Sequence, residues 1–240
     1  MEMAIIMIRL DKYLADMGVG TRTEVKTQIR RGTVKVDGEV IKIPETKIDV
    51  KNQTVLYNGE PLTYESYVYY MLNKPAGVIS ATSDKREKTV LDLIDCKKRK
   101  DLFPVGRLDK DTEGLLLITN DGDLAHRLLS PKKHVDKTYY AEIEGRVTEA
   151  DIEAFTEGVE IGKDEVTRAA ALEILTSDEV SEIRLTIQEG KFHQVKRMFE
   201  AVGKKVLYLK RLSMGPLVLD KDLMPGQYRL LTPEEIELLC

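Results

Sequence analysis

Three carboxylates fall close together in the run Gly106-Arg107-Leu108-Asp109-Lys110-Asp111-Thr112-Glu113, just ahead of the apolar stretch Leu115–Thr119. A carboxylate on a loop beside a buried strand can act as base or nucleophile, provided a nearby cation keeps it ionised once water is excluded. Taken alone, an aspartate in such a loop is more often a turn former. The cation has a candidate far along the chain. Val195, Met198, Phe199 and Val202 recur at i, i+3, i+4, i+7 and mark the buried face of a helix that Gly203 ends. His193, Lys196, Arg197 and Glu200 fall on its other face, where Lys196 can reach across a cleft or simply meet solvent. Tyr139, in a Tyr-Tyr pair, suits a core or a stacking site.

Other chemistries lack their residues. His126, His134 and His193 make no HxxH or HExxH spacing, there is no CxxC, and no P-loop or GxGxxG is present, so neither a metal nor a nucleotide cofactor is expected. Cys96 and Cys240 are too few and too far apart for a disulfide framework, which fits a reducing cytoplasm. No apolar run approaches the roughly 18 residues of a membrane span. With 42% hydrophobic and 32% charged residues, the chain has enough apolar content for a packed core and is not a disordered one. The net charge of −4 excludes a uniformly basic nucleic-acid binder and leaves room for a local basic face.

The positioning elements begin with a helix carrying Leu10, Tyr13, Leu14 and Met17 on one stripe, ended by Gly18 and Gly20. Thr21 with Glu24 forms a capping box for a second helix of about three turns, closed by Gly32. On that helix Arg22, Lys26 and Arg30 line one face, which is a solvated face or a binding one. Thr33–Lys42 then alternates around Asp37-Gly38, a hairpin signal. Residues 44–66 are rich in turn signals and read as the end of a small domain and a linker. Tyr67–Leu72 is strand-like, Val78–Thr82 resumes extended character, Val90–Ile94 is a short helix candidate, and Lys97–Lys100 is a basic cluster on a solvated loop or, as the lesser reading, one that faces RNA. Strands and helices interleave through 67–240 without regular βαβ alternation, so the fold class is α+β with a mainly antiparallel sheet.

Two resemblances give these residues roles. The run RLDKYLADMGVGTRTEVKTQIRRGTVKVDGEVIK resembles the S4 RNA-binding domain, which presents its second helix and the following turn to RNA. That likeness places Arg9, Lys12, Arg22, Lys26, Arg30, Arg31 and Lys35 near phosphates. The run GRLDKDTEGLLLITNDGD resembles the signature of pseudouridine synthases of the RsuA/RluB type. Met71–Pro75, Lys137-Thr138-Tyr139, EGKFHQVKRM at 189–198 and the closing RLSMGPLVLDKDLMPGQYRLLTPEEI continue it in order. In that family the aspartate of the RLD triplet is the essential group, which implies Asp109. The likeness makes Tyr139 the ring that stacks on the target uracil and Lys196 the partner of the catalytic carboxylate. Arg107 would fill the space of the extruded base, and His193, Gln194 and Arg197 belong to the substrate-binding motif.

The implied fold is an S4-like domain over 1–65 and a catalytic domain over 66–240 with a bent, mainly antiparallel mixed sheet flanked by helices. The implied reaction breaks the uridine C1′–N1 bond, turns the base and joins C1′ to C5, with no cofactor. Asp109 would attack C1′ or the uracil ring, or remove the 2′ proton; all three routes stay open. Tyr139 is the candidate to receive the C5 proton. The runs LNKPAGVISAT and PGQYRLLTPEEI lie nearer the RsuA branch, whose target is uridine 516 of 16S rRNA, within an assembling small subunit. A monomeric enzyme is expected. A 23S rRNA enzyme of the RluB or RluF kind, or a non-catalytic assembly factor, are the alternatives.

Overall fold

The computed structural model describes residues 7–64, 67–95, 101–130, 133–162 and 164–239. The leading residues before Met7, both cysteines and the Lys97–Lys100 cluster lie outside the described residues. Two units are present, one of residues 1–67 with 95–102 and one of 68–94 with 103–240.

In the first unit, β1 (Met7–Arg9) leads into α1 (Leu10–Asp16), and α2 (Arg22–Arg30) follows. Both halves of the Thr21–Glu24 capping box are formed, so two backbone donors that the helix leaves orphaned are satisfied. The strands β2 (Val34–Val36) and β3 (Glu39–Val40) flank Asp37 and Gly38, both at positive φ, as a two-residue hairpin requires. The segment read as the end of the small domain and a linker carries β4 (Lys47–Asp49), β5 (Val55–Tyr57) and β6 (Glu60–Leu62), within the first unit. Asn58-Gly59, at φ 51° and 88°, is the turn of a second hairpin, since Tyr57 pairs directly with Glu60. Strands run β3-β2-β5-β6, with β1 on β4. Leu10, Tyr13 and Leu14 pack against Val25, Ile29, Val34, Ile48 and Val55.

The second unit has β7 (Tyr69–Lys74), β8 (Phe103–Pro104), β9 (Glu113–Thr119), α3 (Gly122–Leu129), β10 (Lys137–Glu144) and α4 (Glu149–Glu157). Then come β11 (Ala171–Thr176), β12 (Val180–Ile187), α5 (Gln194–Ala201), β13 (Lys205–Met214), β14 (Leu217–Val218), β15 (Tyr228–Leu230) and α6 (Pro233–Leu239). The sheet order is β11-β12-β10-β13-β9-β7-β15, with β14 on β13 and β8 on β9. The β13–β9 pairing is parallel and the other pairings of this sheet are antiparallel, so the fold is α+β with a mixed sheet. Val90–Leu93 forms a 3-10 turn, and Val78–Thr82 is irregular apart from one bridge between Ile79 and Thr89. The extended reading holds at the Ile79 bridge and fails beyond it, where the Ala81 N–H turns back to the Ile79 carbonyl and residues 80–82 bend.

The central strand β9 is buried on both faces, hence its continuous apolar run. Tyr69, Met71, Leu115 and Leu117 pack with Leu124, Leu128 and Leu239 on one face. The α5 stripe is buried as its spacing requires, with Phe199 edge-on to Phe155 of α4 at 5.0 Å.

The parallel junction sets the position of everything that follows. Lys74, Gly114, Arg211, Tyr139 and Leu185 lie in one row across β7, β9, β13, β10 and β12. Gly114 has φ 100°, and a Cβ there would stand 2.2 Å from the Arg211 carbonyl oxygen. Gly114→Ala is therefore expected to cost about 3 kcal/mol or more, read as a lowered unfolding midpoint in denaturant. A variant as stable as the parent would show that β13 can retreat freely.

Candidate active site

The loop that leads into β9 is held from both ends. Ser80 Oγ donates to the Leu108 carbonyl at 2.8 Å and accepts from the Leu108 N–H at 3.0 Å. At the other end Lys74, fully buried, aims its ammonium at the backbone. Its Nζ donates to the carbonyls of Thr112 at 2.8 Å, Asp109 at 3.0 Å, Pro75 at 3.1 Å and Lys110 at 3.3 Å. Burial lowers the Lys74 pKa to about 8, and the charges of Asp111, Asp109 and Glu113 limit the fall. Composition could not have revealed this role, because lysine is almost never fully buried. The only sequence signal was its place in the Met71–Pro75 match.

Asp109 sits on that loop with its side chain 26% exposed. Lys196 Nζ lies 3.4 Å from one carboxylate oxygen and His193 Nε2 lies 3.6 Å from the other. Lys196 stands within ion-pair distance of Asp109, as expected, and it has a second acidic partner. The hydrogen bonds of Lys196 go to Asp111, at 2.6 and 2.8 Å, and Asp109 receives its charge at longer range. Asp111 is the more exposed acid, at 71%, so it meets the ammonium at the mouth of the cleft. Desolvation works against ionisation of Asp111, but the hydrogen bond and charge of Lys196, with His193, hold its carboxyl below the usual range.

His193 caps α5 in the left-handed region, at φ 48°, and its ring stacks on Phe192 at 3.8 Å and 17°. Phe192 is 72% exposed, an apolar ring displayed beside Asp109 that the sequence did not single out. Tyr139 is buried, at a register shift between β10 and β13, and lines a cavity with Arg107, Asp109, Thr112, His193 and Lys196. The Thr112 hydroxyl is buried there without a partner among the described residues. A polar atom left unsatisfied in a cavity is suited to a ligand group. Tyr139 therefore has a core aromatic's burial and a site residue's neighbours.

Two residues from the same motif spend their polar groups on protein partners. Gln194 is buried, its amide donating to Glu189 at 2.7 Å and accepting from the Lys191 N–H at 2.9 Å. It shapes the loop over the cavity and has little left to offer a substrate. Arg197 binds the Ile161, Phe192 and Gly162 carbonyls and Glu165, away from Asp109. Its spacing put it on the exposed helix face, and it instead ties α5 to the 161–165 segment.

In the first unit Asp11, 1% exposed, gathers the basic residues. Arg9 meets it in a two-pronged hydrogen bond, with Lys26 at 3.7 Å and Arg22 at 3.9 Å. Lys12 pairs with Asp16, while Arg30, Arg31 and Lys35 are exposed. One buried acid thus holds several cations on one surface.

Comparison with known proteins agrees over both units. Residues 68–201 match the family model for RNA pseudouridylate synthase, and residues 8–55 match the S4 domain. The chain is 52% identical over 234 residues to the uncharacterized RNA pseudouridine synthase YtzG of Bacillus subtilis, spanning 97% of this chain and 98% of that one. It is 42% identical over 231 residues to the ribosomal small subunit pseudouridine synthase A of Escherichia coli, spanning 95% and 98%. A crystal structure of a pseudouridylate synthase, 40% identical, superposes with a TM-score of 0.69 over 97% of this chain and all of that one.

Proposed function

The chain belongs to the RNA pseudouridylate synthase family, and on that premise we propose that it isomerises one uridine of small-subunit ribosomal RNA, uridine 516 of 16S, with Asp109 as its catalytic group. It is a pseudouridine synthase of the RsuA type. The observation that carries the assignment of Asp109 is its half-sheltered carboxylate, flanked by Lys196 and His193, in a cavity shared with Tyr139.

A uridine inside folded RNA must leave its stack to reach this cavity. Its ring lies against Tyr139, while Arg107, exposed on the lip, faces the vacated strand. Asp109 then acts on the ribose or the base as the glycosidic bond breaks, the uracil turns, and C5 bonds to C1′. The C5 proton leaves last, relayed by Tyr139 directly or through water, and the freed N1 takes up a proton, so none is gained or lost overall. Substrate and product are isomers, so no electron or group donor is needed. Lys196 supports the charge on Asp109 and is itself oriented by Asp111. Among the described residues no helix is long and apolar enough to cross a membrane, and the enzyme is proposed to act as a monomer in the cytoplasm on an assembling subunit.

The test is pseudouridine mapping by carbodiimide labelling and primer extension on unmodified 16S and 23S rRNA, with the parent and Asp109→Asn. A single Asp109-dependent stop at 516 supports the proposal. A stop confined to 23S would overturn the target, and no stop with RNA binding retained would overturn the activity.

Two further results are expected. Lys196→Met should lower kcat about 10²-fold with a smaller change in KM, since the cation that supports Asp109 is lost. An unchanged kcat would remove Lys196 from the chemistry. Arg22→Ala with Arg30→Ala should weaken RNA binding about tenfold and reduce the slope of log affinity against log salt by about 2, leaving slow turnover at saturating RNA. Unchanged binding would make that face merely solvated.

A further inference from the structure

Beside the Asp109 cavity, and sharing Arg107, Tyr139, Gly190 and Lys191 with it, lies a second cavity of about 480 Å³. Its wall holds five cationic side chains, Arg107, Lys137, Arg168, Lys191 and Arg211, against one acid, Glu189. That acid is already engaged, accepting from Gln194 Nε2 and the Arg168 N–H and lying 3.5 Å from Lys191. Two of the cations are buried in the sheet, Arg211 at 2% exposure and Lys137 at 7%. Arg211 Nε donates to the Leu115 carbonyl at 2.8 Å, but its Nη2 is buried with no partner among the described residues. Lys137 Nζ spends one donor on the Val135 carbonyl at 3.0 Å. Burial, and then the charge of Arg211, push the Lys137 pKa down, with only Asp136 acting the other way. Two neighbouring buried cations with no ion pair among the described residues, one with an unpartnered guanidinium nitrogen there, are costly unless an anion completes the arrangement.

We propose that this cavity binds a phosphodiester of the substrate strand, adjacent to the target uridine. The inference rests on the uridine occupying the Asp109 cavity. A base stacked on Tyr139 then has its own backbone beside the shared wall, and the planar guanidinium of Arg211 suits a phosphate. The volume accommodates the phosphate with part of its ribose. The phosphate fixes the register of the strand and reads no sequence, so it aligns C1′ with Asp109.

The experiment uses the full chain and RNA stem-loops carrying a single neutral methylphosphonate at each linkage around the mapped uridine. Affinity is read on the Asp109→Asn background so that turnover does not intervene. One linkage next to the target is expected to cost about tenfold in affinity, the scale of one charge-assisted contact. The same linkage should cost the Lys137→Met protein less than about twofold. Arg168→Gln, an exposed change at the rim, serves as the second variant if Lys137→Met does not fold. Equal sensitivity at all linkages, or equal loss in parent and variant, would overturn the proposal. Stabilisation by millimolar inorganic phosphate that Lys137→Met abolishes, without a linkage effect, would make this a free-anion site and also overturn it. Isomerisation that persists without a linkage effect isolates this failure, whereas the absence of any mapped stop is the failure of the proposed activity.

Discussion

Asp109→Asn is expected to reduce isomerisation by at least about 10³-fold while RNA affinity stays within about twofold of the parent. The substitution keeps the shape of the side chain and removes its charge and basicity. Two features protect the fold and the RNA surface. Lys196 keeps its hydrogen bonds to Asp111, so no cation is orphaned in the cleft. The loop is pinned through backbone atoms, at Leu108 by Ser80 and at the carbonyls of Asp109, Lys110 and Thr112 by Lys74, none of which the change touches. RNA is a polyanion, so removing a carboxylate from its cleft does not oppose binding. Filter binding and tritium release from C5-labelled RNA measure the two properties on one preparation. Equal loss of both would move Asp109 from chemistry to structure.

Lys74→Met should be the most damaging change outside the carboxylate itself. It preserves the apolar stem and deletes the ammonium, leaving buried carbonyls of the loop without their donor. Each such loss costs about 1–3 kcal/mol, partly offset because a buried cation no longer has to be desolvated, for a net of about 3 kcal/mol. Turnover should fall about 10²-fold even where the protein is folded, since the freed loop lets Asp109 drift by a fraction of an ångström. Denaturant unfolding and kcat on the folded fraction check the two numbers. A stable variant with parental kcat would show that Ser80 alone suffices to hold the loop.

A pH signature separates positioning from bulk stability. With a folded pKa near 8 against 10.5 for the free side chain, Lys74 is charged in both states below pH 8. Between pH 8 and 10.5 the unfolded chain still binds the proton that the folded one has released, so this group's contribution to stability rises with pH. Activity should move the opposite way, because the neutral amine has one donor fewer for the carbonyls. The parent's kcat should therefore decline with a midpoint near pH 8, and the residual kcat of Lys74→Met should be flat there. A parental profile flat across pH 8 would contradict this account.

Much of the fold was legible because its signals are local. The stripe Leu10, Tyr13, Leu14, the Thr21 capping box, the Asp37-Gly38 turn and the α5 face each depend on residues within a few positions of one another. In residues 44–66 the turns were legible and the short strands between them were not. Asn58-Gly59 was a hairpin turn between strands of only three residues, too short to show alternation, whose partners lie elsewhere in the chain.

The sequence by itself determined which chemical groups are available, and the order of its motifs carried the likeness that named Asp109, Tyr139 and Lys196. Tertiary structure decided how those groups share charge and who holds them. Lys196 divides itself between Asp111 and Asp109, Arg197 ties α5 to neighbouring carbonyls, Gln194 braces a loop at the cavity wall, and a buried lysine clamps the Asp109 loop. The row Lys74–Gly114–Arg211–Tyr139 exists only once a parallel pairing joins strands almost a hundred residues apart. Hydrophobic periodicity fixes the face a side chain takes, but the distance between two charges depends on strand register. Register is set by long-range pairing and by the one residue, Gly114, that allows the backbones so close.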